Sequence, residues 1–179
     1  MKKPTKKPKT KKATAEKKCK TLIVFYSRTG TTKKVADEIK QALNSDVDEI
    51  LDTKERKGVI GYLRSGRDAT KKFTTDIKPS GKDPAAYDLV IVGTPIWSWN
   101  LTPPVRTYLR NNKAKLKEVA FFCTMGGSGA ERAFASMEEE SGKKPKATLA
   151  LLTREVVDGT FTEKAKAFAA SIKDGKNKD

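Results

Sequence analysis

Five short runs rich in apolar residues predict five β-strands along the chain. Three of them, at 22–26, 87–93 and 119–123, are of the continuously apolar kind, and the run at 147–152 predicts the last strand. Continuous apolar character is typical of strands covered on both faces, and each run is far too short to cross a membrane. A weaker run at 47–51 predicts another short strand, and the last run could extend to residue 157.

Between these runs, apolar residues recur at helical spacing. After the first run, Val35, Ile39 and Leu43 stand at i, i+4 and i+8, which predicts an amphipathic helix. Similar patterns predict helices at 105–112, from residue 130 with Ala130, Ala133, Phe134 and Met137 inward, and near the end with Ala165, Phe168, Ala169 and Ile172 inward. A further helix is predicted within 58–71. Strands alternating with helices predict an α/β fold with a parallel sheet, because parallel neighbours need crossover connections.

The N-terminal segment differs in composition from the rest. Residues 1–20 hold ten lysines and one glutamate, a net charge of +9 out of +16 for the whole chain. Such a segment buries too little apolar surface to offset the entropy of ordering, so we predict a disordered tail at 1–19 and one folded domain at 20–175. The tail is either a solubilising extension or a weak, salt-sensitive contact for nucleic acid or another anionic surface. It has the pattern of neither a secretory signal nor a mitochondrial presequence.

The two cysteines and the absence of histidine limit the kinds of catalysis that the chain can perform. Two cysteines, Cys19 and Cys123, make no disulfide framework, and a reducing cytoplasm is the simplest compartment. The chain has no histidine, which excludes Ser-His-Asp and Cys-His catalysis and HExxH metal sites. A low-molecular-weight phosphatase is excluded as well, because Gly129 stands six positions after Cys123, where that class needs arginine. If the protein is an enzyme, we therefore expect a cofactor to carry the reaction.

The turn between the first strand and the first helix carries candidate phosphate-binding residues. It reads Ser27, Arg28, Thr29, Gly30, Thr31, Thr32. Hydroxyl groups and a glycine at a helix N-terminus form an anion site, because unpaired backbone N–H groups and the positive end of the helix dipole converge there. The alternative is an ordinary capped turn, which needs one hydroxyl and not four. The spacing matches neither GxxxxGK[ST] nor GxGxxG.

This stretch resembles the flavodoxin signature. The matching residues are Ile23, Val24, Phe25, Ser27, Thr29, Gly30, Thr32 and Ala36. The resemblance continues through YDLVIVGTPIW, PPVRTYL and TMGGSG, and so covers nearly all of the chain except the tail. It implies that 27–32 bind the phosphate of FMN, that the sheet has the order 2-1-3-4-5, and that the cofactor lies where the winding reverses between the first and third strands.

Two further loops are expected at the cofactor. By the resemblance, Thr94, Pro95, Ile96, Trp97, Ser98, Trp99 and Asn100 border the flavin ring and ribityl chain, and Thr124, Met125, Gly126 and Gly127 offer backbone N–H groups to its pyrimidine edge. Both tryptophans of the chain fall in the first of these segments, which we predict to be a loop. At least one is expected to form an apolar wall for the flavin, the alternative being a tryptophan that only anchors the loop.

Three features differ from the flavodoxin pattern. Many flavodoxins have a glycine after the first loop's aromatic residue, where this chain has Ser98-Trp99-Asn100. Met125 stands where a second aromatic is usual, and the domain is basic rather than acidic. The expected function is electron transfer with FMN between redox partners. An FMN-dependent NAD(P)H:quinone or flavin oxidoreductase is the first alternative, and a flavin-free phosphate-binding or nucleic-acid-associated scaffold is the second.

Overall fold

The apolar runs form the strands of one mainly parallel sheet in a computed structural model that describes residues 19–53, 71–78 and 80–174. The long strands are β1 (Thr21–Phe25), β2 (Asp46–Glu49), β3 (Leu89–Trp97), β5 (Glu118–Met125) and β6 (Thr148–Leu152). They are parallel in the order β2-β1-β3-β5-β6, which confirms the predicted order 2-1-3-4-5. The described part of the sheet has a sixth strand that was not predicted, β4 (Asn100–Leu101), antiparallel to the end of β3.

Helices cover both faces of the sheet. They are α1 (Thr31–Leu43), α2 (Pro103–Asn112), α3 (Ala130–Ser141), α4 (Thr153–Val157) and α5 (Thr162–Asp174), with short 3₁₀ turns at Pro84–Ala86 and Lys113–Lys115. Ile23 and Phe25 belong to the core cluster that contains α1, α4 and α5, whereas Leu22 and Val24 belong to the cluster that contains α2 and α3. Burial of alternate residues on opposite faces explains the continuously apolar strands.

Most predicted elements are confirmed with shifted ends. The inward residues predicted for α5, namely Ala165, Phe168, Ala169 and Ile172, are all buried. Ala133 and Met137 of α3 are buried as well, while Ala130 and Phe134 are only partly covered.

Two boundaries differ in a way that matters for the site. The extension of the last strand to residue 157 is wrong, since 153–157 is helix α4 and Val157 is 68% exposed. The strand predicted at 87–93 runs instead from Leu89 to Trp97, because its later residues still pair with β5 and then with β4. Residues 1–18 of the tail predicted at 1–19, and nearly all of the helix predicted within 58–71, lie outside the described residues. Among the described helices, none is long and apolar enough to cross a membrane.

Candidate functional site

Three segments far apart in sequence meet at the carboxyl edge of the sheet. They follow β1, end β3 and end β5, and together with Thr153 they surround a cavity of about 250 Å³. The lining residues are Arg28, Thr29, Thr31, Thr32, Pro95, Ile96, Trp97, Thr124, Met125, Gly126 and Thr153. Ten of these eleven are residues that the sequence pointed to. The cavity lies beside β1 and β3, the position where ligands bind in a sheet of this winding.

The first segment places hydroxyl groups at the N-terminus of α1. Gly30 is the N-cap and has φ +86°, a left-handed conformation that glycine adopts without strain. The Lys33 N–H donates to Ser27 Oγ at 3.3 Å, so Ser27 supports the turn. Thr29 and Thr31 line the cavity with their hydroxyls 3.4 Å apart. The positive end of the helix dipole and a set of hydroxyls therefore converge at one end of the cavity.

A buried hydroxyl pair connects this segment to the end of β5. Thr32 and Thr124 are 1% and 3% exposed, and their Oγ1 atoms are 2.8 Å apart. The Thr124 side chain thus faces the N-terminus of α1. Next to it, Met125 ends β5 and is partly covered, and Gly126 is exposed at the cavity edge.

The second segment is a tight hairpin. Trp97 ends β3 and is partly buried, with its ring edge-to-face on Tyr26 at a centroid distance of 5.6 Å. Ser98 and Trp99, which we name the tryptophan turn, connect β3 to β4 with φ of +47° and +59°. Two-residue hairpin turns of this hand need positive φ at both positions, and for residues other than glycine this costs on the order of 1–3 kcal/mol each.

The two tryptophans occupy different environments, and the prediction that both lie in a loop is wrong for Trp97. Trp97 is in a paired strand and lines the cavity. Trp99 is 61% exposed and donates from Nε1 to Ser128 Oγ at 3.0 Å. Gly129 sits so close to the turn that a Cβ there would lie 2.8 Å from Trp99 Cα, so the segment after β5 needs glycine at this position.

Some predicted site residues lie behind the cavity wall rather than on it. Thr94 is fully buried, and its Oγ1 accepts from the Thr102 N–H at 3.3 Å and lies 3.2 Å from the Thr102 hydroxyl. Asn100 is also fully buried, and its Oδ1 accepts from the Leu101 N–H at 2.9 Å and from Arg106 at 3.1 Å. The remaining predicted residues that do not line the cavity are Ser27, Gly30, Ser98, Trp99 and Gly127.

One lining residue was missed from the sequence. Thr153 begins α4, lines the cavity and donates from Oγ1 to the Met125 carbonyl at 3.2 Å. It was overlooked because the apolar run before it was expected to continue as strand. In the structure, β6 ends at Leu152 and helix α4 begins at Thr153, and the apolar pattern of the sequence does not mark this change.

Two buried groups behind the site have shifted pKa values. Burial alone would raise the pKa of Glu140, but hydrogen bonds from Arg110 and Arg106 outweigh burial and lower that pKa below its usual value. Burial raises the pKa of the Cys123 thiol to about 12. Cys123 is therefore a small apolar core residue and not a nucleophile, as its place in a strand indicated.

Comparison with known proteins agrees with this architecture. The chain resembles a flavoprotein from Lactobacillus acidophilus NCFM, crystallised in complex with FMN, with 27% identity over 78% of this chain and 97% of that one and a TM-score of 0.65. The flavodoxin of Megasphaera elsdenii has 22% identity over 84% and 98% of the two chains (TM-score 0.54), and Flavodoxin 2 of Bacillus cereus has 20% over 87% and 98% (TM-score 0.58), so both share the fold. No curated protein matches the chain. The flavodoxin family model matches residues 20–167, and the chain therefore belongs to the flavodoxin family.

Proposed function

We propose that the protein binds FMN in the cavity at the carboxyl edge of the sheet and transfers electrons between redox partners. Membership of the flavodoxin family and the FMN bound to the Lactobacillus acidophilus neighbour support FMN as the cofactor. The observation that carries the proposal is the cavity itself. Ten of its eleven lining residues come from the three segments that were expected at the flavin, and a helix N-terminus closes one end.

The residues present fit FMN at both ends of the cavity. At the α1 end, the hydroxyls of Thr29, Thr31 and Thr32 and the first N–H groups of the helix suit a phosphate dianion. Arg28 also lines this end and adds a positive charge. At the other end, the partly buried ring of Trp97 offers a flat apolar surface of the kind that covers an isoalloxazine.

The protein holds and shields the cofactor in this proposal. FMN supplies the redox chemistry, since it accepts and releases electrons one or two at a time. Trp97 covers one side of the ring and excludes water from it, while Gly126 leaves room for backbone groups to approach the polar edge. No side chain is required as a catalytic acid or base.

A second candidate function has one observation in its favour. Among the described residues that line the cavity, Trp97 is the single aromatic, because Trp99 is turned toward Ser128 and Met125 occupies the later segment. An open flavin face would admit a nicotinamide, which an FMN-dependent NAD(P)H:quinone or flavin oxidoreductase needs. Steady oxidation of NAD(P)H with a quinone by the FMN-loaded protein would favour this candidate, and no turnover across a panel of quinones would leave the electron carrier.

The first experiment is a titration of flavin-free protein with FMN and with riboflavin, followed by flavin fluorescence. We expect FMN to bind at least tenfold more tightly, because hydrogen bonds to a charged group contribute about 1.5–3 kcal/mol each. Replacement Thr29→Val should weaken FMN and leave riboflavin unchanged, whereas the exposed Thr148→Val on β6 should change neither.

Absence of binding to either flavin would contradict the proposal. In that case a flavin-free scaffold is the remaining candidate, and salt-dependent binding to nucleic acid should then disappear when residues 1–18 are deleted. For the loaded protein, stepwise anaerobic reduction followed by absorbance tests how electrons are carried. Two separated one-electron steps would favour the carrier, and a single two-electron step would favour the oxidoreductase.

A cytoplasmic location remains part of the proposal. It is supported by Cys19 and Cys123, which are both free thiols.

A further inference from the structure

A buried polar cluster lies directly behind the tryptophan turn. Its members are Asn100 on β4, Arg106 on α2 and Glu140 on α3, and they are 0%, 0% and 7% exposed. Arg106 donates from Nη2 to Asn100 Oδ1 at 3.1 Å and from Nη1 to Glu140 Oε1. The second arginine on this carboxylate, Arg110, is half exposed and donates from Nε to Glu140 Oε2 at 2.5 Å.

The cluster is connected to the cavity wall through the hairpin. Asn100 is the register partner of Trp97 across the β3–β4 pair, and the tryptophan turn joins the two residues. The Asn100 Oδ1 that receives Arg106 also accepts from the Leu101 N–H, so one atom links the guanidinium to the backbone of β4. Arg106 is thereby connected to Trp97 through Asn100 and two paired strands.

The backbone conformation of the tryptophan turn requires support from neighbouring residues. Ser98 and Trp99 both have positive φ without being glycine, a conformation that persists only when its surroundings enforce it. On the exposed side, Trp99 Nε1 donates to Ser128 Oγ, and Gly129 contacts the turn backbone. On the buried side, the connection is Asn100 and Arg106.

The cluster is poorly built for stability alone. Within residues 19–53, 71–78 and 80–174, Asn100 Nδ2 and Arg106 Nε have no hydrogen-bond partner. Buried donors left unpaired destabilise a fold, and buried ion pairs are often no better than apolar residues of the same size. A role in fixing geometry accounts for both features.

We infer that Arg106 is a positioning residue, which acts through Asn100 to hold the tryptophan turn and so sets Trp97 against the cavity. The consequence for the flavin rests on the proposed function, whereas the effect on the tryptophans does not.

The test uses the fact that Trp97 and Trp99 are the only two tryptophans in the chain. Fluorescence of the flavin-free protein therefore reports on Trp97 and on the tryptophan turn. Asn100→Ala removes the acceptor of Arg106 and leaves the Arg106–Glu140 pair, and Arg110→Gln is the matched control, because it weakens the same ion-pair cluster without touching Asn100.

We expect Asn100→Ala to move the emission maximum to longer wavelength and to increase quenching by acrylamide, while Arg110→Gln changes the melting temperature alone. If Asn100→Ala does not fold by circular dichroism, Arg106→Lys replaces it. Lysine keeps the charge for Glu140 but lacks the second arm that reaches Asn100, so the same fluorescence changes are expected. A folded variant with wild-type emission and quenching would overturn the inference, as would equal changes in Arg110→Gln.

The second readout is FMN affinity. We expect about a tenfold weaker Kd for Asn100→Ala, equivalent to about 1.4 kcal/mol, and wild-type affinity for Arg110→Gln. The substitution Ser98→Gly added to Asn100→Ala should restore part of this loss, because glycine adopts positive φ without support. If the wild-type protein binds no FMN, the proposed function fails while the fluorescence test still decides the role of Arg106.

Discussion

A single pair of hydroxyls connects two segments of the site that lie 92 residues apart in sequence. Thr32 and Thr124 are both buried and share a hydrogen bond of 2.8 Å between their Oγ1 atoms. A buried hydroxyl that loses its partner remains unsatisfied, which costs more than the bond itself contributed. These two residues therefore couple the stability of the domain to the shape of the cavity.

We expect Thr32→Val to lower the free energy of unfolding by about 1–2 kcal/mol, because it leaves Thr124 unpaired. The double variant Thr32→Val/Thr124→Val should regain part of that loss, since both partners are then apolar. Urea unfolding measures both values. The control is Thr31→Val, because the Thr31 side chain is less buried than that of Thr32. A decrease in unfolding free energy for Thr31→Val as large as that for Thr32→Val would contradict the argument.

The two cysteines should differ in reactivity. Burial raises the pKa of Cys123 to about 12, so almost no thiolate forms at pH 8 and no reagent reaches the sulfur. Cys19 is partly exposed near the start of β1. A thiol titration of the flavin-free native protein should therefore count one reactive group, and a second should appear only in denaturant. Cys19→Ser should abolish the native reaction, and a remaining fast thiol would show that Cys123 is accessible.

At the scale of elements, the hairpin at the end of β3 is the strained part of the site. Most strands in this sheet are parallel and end in turns to helices, but β3 continues into an antiparallel partner of two residues. The connection has room for only two residues, and both take positive φ. Ser98 and Trp99 adopt this conformation although neither is glycine, at the cost given above.

Replacement Ser98→Gly should therefore stabilise the domain by about 1 kcal/mol, because it removes the penalty of a left-handed serine. Thermal melting of the flavin-free protein measures the effect. Ser171→Gly, in helix α5, should do the opposite and destabilise by about 0.5–1 kcal/mol, since glycine is a poor helix residue. A melting temperature that falls for Ser98→Gly would show that the side chain contributes more than the strain costs.

At the scale of the whole molecule, the Glu140 carboxylate links α2 to α3 on one face of the sheet. Both arginines that it pairs with come from α2, and the pKa of Glu140 is lowered because their hydrogen bonds outweigh burial. A carboxyl group whose pKa is lower in the folded state stabilises the fold above its unfolded pKa. That stabilisation disappears as the pH falls through the folded pKa.

The expected result is a melting temperature for Glu140→Gln that lies below wild type near neutral pH, with a gap that narrows once the pH drops below 4.5, the usual value for this group. Melting curves from neutral to acidic pH measure the gap. Glu163→Gln is the control, because this carboxylate is 85% exposed in a surface ion pair with Lys166, and such pairs contribute little. A constant gap across this range would show that the charge of Glu140 does not contribute to stability in the predicted way.

The five parallel strands, the helices α1, α2, α3 and α5 and ten of the eleven residues that line the cavity were predictable from the sequence, the strand order and the two later loops through the family resemblance. Continuous apolar runs mark strands buried on both faces, and helical spacing marks the cover on each side, since both patterns are local. The hydroxyl-rich turn at 27–32 could be read in the same way, because a helix N-terminus favours hydroxyl side chains and the left-handed conformation of Gly30 favours glycine.

Which of these residues reach the cavity depends on how the strands and helices pack. The pairing of β3 with β5 and β4 put Trp97 in a strand and on the wall, and turned Trp99 to the surface. Thr153 lies beside the cavity through its contact with Met125, 28 residues away in sequence, and Asn100 meets Arg106 because β4 packs against α2. Such contacts leave no periodic signal in the sequence, because they are set by how the strands and helices pack and not by the neighbours of each residue.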